Sequence, residues 1–291
     1  MESILSLLFQ ARGVLAPTIP QSAKEDILLT LLFWKLLSDN WRLTQRGQEA
    51  GANLRASERE PTALPVIMDL SRTYESCQWN HANDAGQALR SSLIRLAEGQ
   101  PRCRLNGMLR AERFGALSPW HAAFRHSDSL ARVINIIGSI SLSMVPNDIG
   151  IGAIFSNAKA MFSAGANAVP AHIANLMTHL VNPQSTDEIC DLQCGDGQLL
   201  QACIAKVAGE APQHQLMVYG QEANDNAWAL ACMQMLLQAV QYRLERGDAL
   251  ERPALFTSRL NLVKANVVVL QLPEKPVVWD QGSAEHENYK R

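Results

Sequence analysis

Apolar positions in the first half of the chain recur at the spacing of α-helices. Between residues 22 and 41, apolar side chains cover nearly every face of the predicted helix, which is typical of a helix inside a bundle. Ser22, with Glu25 three residues later, predicts a capped start. Residues 45–65 are polar and contain Gly and Pro, so we expect a loop or an insertion there. Helical spacing returns in AGQALRSSLIRLAEG and SDSLARVINIIGSISLS, which together predict a helical domain over residues 1–150.

The second half alternates short apolar runs with helical patterns. PAHIANLMTHLV predicts a helix with Pro170 in its first turn, where the missing N–H costs nothing. Its apolar residues share one face: Ile173, Leu176, Met177 and Leu180. Four runs then follow, EICDL, QLMVYG, YRLERGD and NVVVLQLP, with helical segments after the first two. This alternation predicts an α/β domain with a parallel sheet over residues 151–291.

Composition and charge indicate an ordinary globular protein. Hydrophobic residues make up 47% of the 291 positions and charged residues 19%, so no disordered or fibrous class fits. The formal net charge is −2, so we expect DNA to be reached only through a local patch or a partner. The most apolar run, ILLTLLFWKLL, is about half as long as a membrane span, so we expect no membrane association.

The six cysteines have neither the spacing of a zinc site nor that of a secreted disulfide framework. Four of them lie in the apolar second half, where small buried thiols are common. His172 and His179 are seven residues apart on one predicted helix, whereas metal-binding pairs on helices are usually closer. We therefore predict no metal site and a reducing, cytoplasmic location.

Acids and glycines follow the predicted strands, at the edge where open α/β sheets bind ligands. Asp191 ends the first strand, and Gly195 and Gly197 follow it, which lets backbone N–H groups approach a ligand closely. Glu222 ends the second strand, where an acid can accept hydrogen bonds from ribose hydroxyls. Asp248 follows the third strand and could accept from an exocyclic amine. The same acids also suit capped turns between strands and helices, so a cofactor site and structural caps both remain open.

Several segments, taken in order, resemble motifs of one protein family. LLFWKLLSD is similar to LLFLKYLSD, DLQCGDGQLL to DPACGSGGFL, and GDAL to GDTL. GQE followed by a helix is shared, and residues 151–183 are similar to the segment that contains GEFYTP. The family is that of the modification subunits of type I restriction–modification systems, which are S-adenosylmethionine-dependent DNA adenine-N6 methyltransferases.

This resemblance implies a Rossmann-like methyltransferase domain with the strand order 3-2-1-4-5-7-6. It implies S-adenosylmethionine as the cofactor, with Asp191, Gly195 and Gly197 around the methionine part. Glu222 would hold the ribose hydroxyls and Asp248 the adenine amine. The implied partners are a specificity subunit or other restriction–modification subunits, with DNA reached through that assembly.

The catalytic motif departs from the family pattern. Gln271, Leu272, Pro273 and Glu274 stand over the Asn, Pro, Pro and Phe of NPPF. Gln271 is one methylene longer than Asn, and reaction geometry tolerates errors of only about 1 Å. Glu274 replaces the ring that stacks on the target base, a contact worth about 1–3 kcal/mol. Gln271 and Pro273 are therefore degenerate catalytic positions.

Other departures lie near the predicted cofactor loop. GEFYTP has become GANAVP, which keeps Pro170 as a cofactor-binding position but puts Val169 where a threonine would cap the helix. Asp196 stands where the family has Ser. Only four strands are predicted, so we expect an incomplete sheet whose fourth strand has an apolar edge.

The residues together favour a degenerate, catalytically impaired methyltransferase-like protein that acts as a cofactor-binding or interaction subunit. An active adenine-N6 methyltransferase subunit is the main alternative, so whether the chain is an enzyme stays open. A different Rossmann-like, nucleotide-dependent oxidoreductase is a third reading, although LLFWKLLSD has no place in it.

Overall fold

The structure is a computed structural model in which most of the chain is described. The described residues are 2–50, 74, 85–98, 108–109, 111–114, 118, 120–142, 150–162, 169–211, 215–238, 240–256 and 262–271. Among these residues, no helix combines the length and the apolar character that a bilayer span needs.

The chain divides into two compact units. The first comprises residues 1–164 with 232–239, and the second comprises residues 165–231 with 240–291. The first unit is helical and the second contains the sheet, so the predicted α/β class with a helical N-terminal part is confirmed. The proposed domain limits, 1–150 and 151–291, stay predictions.

The described part of residues 1–164 contains six α-helices. They are α1 (Glu2–Val14), α2 (Gln21–Ala50), α3 (Ala85–Ala97), α4 (Trp120–Phe124), α5 (Ser127–Gly138) and α6 (Ile151–Phe162). A short 3₁₀ helix spans Ala111–Phe114. The all-round apolar part of α2 is buried from residue 26 to 38, as the pattern predicted for a helix inside a bundle.

The two ends of α2 differ from the prediction. Ser22 lies inside the helix rather than at its cap, because the carbonyl of Pro20 already accepts the N–H of Lys24 at 3.0 Å. The helix also continues through residues 45–50, where we expected a loop. That stretch contains Gln, Arg, Glu and Ala, which favour helix and outweigh the single Gly47. Residues 51–65 lie outside the described residues.

A buried carboxylate joins three segments of the helical unit. Asp26 on α2 accepts hydrogen bonds from the guanidinium of Arg113 and from the indole N–H of Trp120. Arg113 also donates to the carbonyl of Met108 at 2.7 Å. A buried charge is tolerated when it is paired and hydrogen-bonded on its remaining lone pairs, as it is here.

We expect Asp26→Asn to lower the free energy of unfolding by about 2 kcal/mol, because Arg113 loses its charged partner while Trp120 keeps an acceptor. Urea denaturation followed by tryptophan fluorescence measures this change. The control is Asp225→Asn, which removes an exposed ion pair with Arg246 and should cost less than about 1 kcal/mol. Equal effects of the two substitutions would show that Asp26 has no special role in the core.

Among its described residues, the second unit contains a four-stranded parallel sheet in the order β3-β2-β1-β4. Its strands are β1 (Glu188–Asp191), β2 (Met217–Glu222), β3 (Gln241–Arg246) and β4 (Val267–Val268). This order matches the first four positions of the strand order 3-2-1-4-5-7-6 that the resemblance implied. The predicted fourth strand is reduced to two residues, although the N–H of Val269 still donates to the carbonyl of Cys190 at 2.9 Å.

The described helices of this part of the chain are those that the pattern predicted: α7 (Ala171–Val181) before β1, α8 (Gln198–Glu210) between β1 and β2, and α9 (Asp225–Leu237) between β2 and β3. Residues 232–237 of α9 are grouped with the first unit. Four described cysteines are buried, as expected for small apolar thiols: Cys190, Cys194, Cys203 and Cys232.

Helix α7 buries small residues and exposes its large ones. Ala174 and Thr178 are buried, and the Thr178 hydroxyl lies 3.8 Å from the thiol of Cys203 on α8. Leu176 and Leu180, on the predicted apolar face, are 54% and 75% exposed. The apolar spacing therefore identifies this helix correctly but does not identify the face that packs on α8.

Candidate cofactor site

The carboxyl ends of the parallel strands bring the predicted site residues to one edge of the sheet. Asp191 at the end of β1 is in register with Gly220 on β2, and Glu222 at the end of β2 is in register with Arg246 on β3. Asp248 follows β3 after one residue. Because all four strands run in the same direction, the loops that follow them also lie at this edge.

The loop after β1 is a tight glycine turn. Gly195 and Gly197 both have left-handed backbone conformations, with φ values of +54° and +84°, which side chains rarely adopt. The N–H of Gly197 donates to the carbonyl of Cys194 at 2.8 Å, and Gly197 is the N-cap of α8. A Cβ at Gly195 would meet no atom within 4 Å, so this glycine is required by its backbone conformation and the space beside it is open.

Asp191 is an almost fully buried acid, with 1% of its surface exposed. Burial raises the pKa of its carboxyl to about 7, the N–H of Gln193 lowers it, and the charge of Glu222 raises it. The Gln193 N–H lies 3.0 Å from Oδ1. Burial, and the charge of Asp191, also raise the pKa of the neighbouring Cys190 thiol to about 11. A perturbed acid beside a glycine turn indicates a functional site.

Glu222 connects the loops after β1 and β2. Its Oε2 accepts the N–H of Gly195 at 2.8 Å, and its Oε1 accepts the N–H of Asn224 at 2.7 Å. The acid predicted to hold ribose is therefore bonded directly to the loop predicted to hold methionine. Each Glu222 oxygen keeps capacity for a further donor, because a carboxylate oxygen has two lone pairs.

Asp248 closes the turn after β3. Its Oδ1 accepts the N–H of Leu250 at 2.8 Å, and its backbone carbonyl accepts the N–H of Arg252 at 2.8 Å. Gly247, just before it, has a φ of +119°, which glycine alone adopts readily. The N–H of Gly247 donates to the carbonyl of Glu222 at 2.9 Å, which ties the Asp248 turn to the end of β2.

The acids at the ends of β1 and β2 are not helix caps. The N-cap of α8 is Gly197, and the side chain of Asn224 accepts the N–H groups of Asn226 and Ala227 at the start of α9. Asp191 and Glu222 instead accept N–H groups within turns. The capping alternative therefore does not account for these two positions, whereas Asp248 does close a local turn.

Two other predicted positions lie apart from this network. Pro170 is the N-cap of α7, and its carbonyl accepts the N–H groups of Ile173 and Ala174 at 2.9 and 3.0 Å. Gln271 is half-buried and lies three residues beyond β4. Pro273 lies outside the described residues. The cofactor role of Pro170 and the catalytic roles of Gln271 and Pro273 stay predictions.

Gln221 is a site residue that the sequence reasoning did not single out. It is fully buried, and both ends of its side-chain amide are bonded to the loop after Asp248. The available signal was a polar residue between Gly220 and Glu222 at the end of an otherwise apolar strand. A buried amide in that position needs partners, and those partners can belong to the neighbouring loop.

The strand order and the glycine turn define a Rossmann-like domain, and solved methyltransferase subunits share this fold. The type I restriction–modification methyltransferase subunit from Streptococcus thermophilus aligns with 92% of this chain and 62% of its own length, with a TM-score of 0.65 and 18% identity. A type I modification subunit from Vibrio vulnificus aligns with 92% of this chain and 60% of its own, with a TM-score of 0.58 and 13% identity. At these identities the likeness establishes the fold.

Sequence comparison finds relatives of the same kind. The family model for N-6 DNA methylases matches residues 154–290. The type I restriction enzyme MjaVIII methylase subunit of Methanocaldococcus jannaschii is 30% identical over 129 residues, which are 42% of this chain and 22% of that relative. The chain is similar to the N-6 DNA methylases over residues 154–290, and its predicted resemblance to type I modification subunits is confirmed. It aligns with about a fifth of the curated relative and about three fifths of the two solved structures.

Proposed function

We propose that this chain is a cofactor-binding, catalytically impaired methyltransferase-like subunit of a type I restriction–modification assembly. The main support is the 2.8 Å hydrogen bond between the Glu222 carboxylate and the N–H of Gly195. It brings the predicted ribose acid and the predicted methionine loop to one place at the sheet edge. Asp191 lies at the start of the same loop.

The chemistry of this edge suits S-adenosylmethionine. The cofactor has a positive sulfonium and a positive ammonium group, and Asp191, Glu222 and Asp248 supply negative groups at the strand ends. Its carboxylate is negative, and the N-terminus of α8 supplies backbone N–H groups and a positive dipole end. The open space beside Gly195 lets a ligand approach the backbone closely. When bound, this cofactor supplies an activated methyl group.

Impaired catalysis is proposed from the residues after β4. Methylation of an adenine amine needs acceptors for its protons and a surface on which the flipped base can stack. Gln271 places an amide one methylene farther from the backbone than the family Asn, which displaces the acceptor by more than the reaction tolerates. Glu274 supplies a charge instead of a stacking ring, and that charge repels phosphate groups.

An active adenine-N6 methyltransferase subunit is the second candidate, and the retained acids and glycines of the cofactor loop favour it. The assembly is proposed because the relatives are named as subunits of type I systems. A specificity subunit or another restriction–modification subunit is the proposed partner, and DNA is reached through that complex.

The proposal predicts cofactor binding without methyl transfer. Isothermal titration with S-adenosylmethionine should give saturable heat that Asp191→Ala removes. Incubation with methyl-labelled cofactor and DNA, with and without a specificity subunit, should leave the DNA unlabelled. Labelled DNA would establish the active alternative, whereas a titration without heat would overturn the cofactor role. A stable monomer that no specificity subunit binds would contradict the assembly.

A further inference from the structure

Gln221 is a fully buried polar side chain at the end of β2. Its Nε2 donates to the carbonyl of Arg252 at 2.8 Å, and its Oε1 accepts the N–H of Ala254 at 3.0 Å. Because both ends of the amide are used on one loop, neither the side chain nor that loop can rotate without losing buried hydrogen bonds.

The hydrogen bonds continue from this loop to Asp248. Arg252, whose carbonyl accepts from Gln221, donates its own N–H to the carbonyl of Asp248 at 2.8 Å. The Asp248 carboxylate is then oriented by the N–H of Leu250 at 2.8 Å. Gln221 therefore reaches Asp248 through a single intervening residue.

Gln221 also borders the glycine loop. Its backbone carbonyl accepts the N–H of Cys194 at 3.0 Å, next to Gly195. One residue is thus bonded to the loop predicted to hold the methionine part and to the loop that contains Asp248. The far end of the second loop is fixed separately, because the Arg243 guanidinium donates to the carbonyls of Phe256 and Ala254.

We propose that Gln221 is a positioning residue that fixes the Asp248 carboxylate for recognition of the adenine amine, and so sets the preference for an adenosyl over an inosyl cofactor. An amine donates to a carboxylate, whereas the carbonyl of hypoxanthine presents a second acceptor and repels it. Discrimination of this kind requires a carboxylate that cannot turn away. This inference rests on the proposed cofactor site.

The test compares S-adenosylhomocysteine with S-inosylhomocysteine, which differ at position 6 of the purine. We expect the wild-type chain to bind the adenosyl compound about 10–100-fold more tightly, the effect of one charged hydrogen bond. Gln221→Met keeps the length of the side chain but makes neither hydrogen bond. In this variant the preference for the adenosyl over the inosyl compound should fall below about 3-fold. Gln221→Asn, which is too short to span both partners, should change the ratio in the same direction and serves if the Met variant does not fold.

The control is Thr178→Val, which removes a buried hydrogen bond to Ala174 on α7 and should keep the wild-type ratio. Hydrogen exchange gives a readout without ligand: in Gln221→Met the amides of Leu250 and Ala254 should exchange faster, and in the control they should not. If the wild-type chain binds both compounds and the Met variant keeps the ratio, the positioning role is wrong and the cofactor site stands. If the wild-type chain binds neither compound, the proposed cofactor site is wrong and the inference fails with it.

Discussion

Replacing Asp191 with asparagine is expected to make the chain more stable than the wild type by about 4 kcal/mol at pH 8. Burial raises the pKa of the Asp191 carboxyl from 3.8 to about 7, so ionisation in the folded state is unfavourable. Each pH unit between those two values corresponds to about 1.4 kcal/mol. Asparagine has the same shape, is neutral at every pH and keeps an oxygen for the N–H of Gln193.

The direction of the pH dependence follows from the raised pKa. The folded chain holds the proton of Asp191 more tightly than the unfolded chain, so this group stabilises the fold fully below about pH 4. That contribution is lost as the pH rises towards about 7, the folded-state pKa of Asp191. About 2–3 kcal/mol of this loss in the free energy of unfolding falls between pH 5 and pH 8, where it can be measured.

Urea denaturation of the wild type and of Asp191→Asn, at half-unit steps from pH 5 to 8, measures the difference directly. The two unfolding free energies should separate steadily towards high pH, with the asparagine variant the more stable. Parallel curves would show that Asp191 does not hold its proton in the folded state. A wild type that is more stable at pH 8 would mean that the ionised carboxylate has a partner beyond the N–H of Gln193.

An acid that lowers stability at neutral pH needs a reason to be at this position, and a cationic ligand supplies one. Binding a positive group beside Asp191 would favour the ionised carboxylate and offset the cost of burying it. This agrees with the proposed methyl-donor site, since positions that violate the rules of stability concentrate at functional sites.

The sequence predicted much of the fold because the parallel sheet has a simple local pattern. Short apolar runs that end in acids located β1, β2 and β3 correctly, and Gly195 and Gly197 located the turn before α8. The same reasoning misjudged α2 beyond residue 44, where polar residues were read as a loop although their helix propensity is high. On α7 it identified a face of large apolar residues, whereas packing against α8 selected Ala174 and Thr178.

The site was predicted less completely, because its geometry depends on contacts between loops that are distant in sequence. Spacing showed that Asp191, Glu222 and Asp248 follow strands, but it did not show that Glu222 bonds to Gly195. The buried amide of Gln221, whose partners lie 31 and 33 residues away, has no local pattern at all. Burial of Asp191, which raises its pKa, also depends on the packed unit rather than on its neighbours in sequence.

Replacing Glu222 with alanine is expected to weaken S-adenosylmethionine binding about 100-fold, which is a loss of about 3 kcal/mol. The substitution removes the proposed acceptor for the ribose hydroxyls. It also frees the N–H of Gly195, which donates to Glu222 at 2.8 Å, so the glycine loop is held beside β2 less firmly, although the Cys194 N–H still donates to the Gln221 carbonyl. Isothermal titration of the wild type and the variant at one pH measures the ratio of dissociation constants.

Asp225→Ala is the matched control, since it removes the same charge three residues later, from an exposed ion pair with Arg246. It should change the cofactor affinity less than about 3-fold, because an exposed charge is screened by solvent and salt. Equal losses of cofactor affinity in both variants would mean that Glu222 acts only through its negative charge. An unchanged affinity in Glu222→Ala would mean that Glu222 only stabilises the turns and does not contact the cofactor. The Glu222→Ala substitution should have one further effect. Without the charge of Glu222 the pKa of Asp191 should fall, so the stability difference between chains with and without Asp191→Asn should develop at lower pH when Glu222 is also replaced.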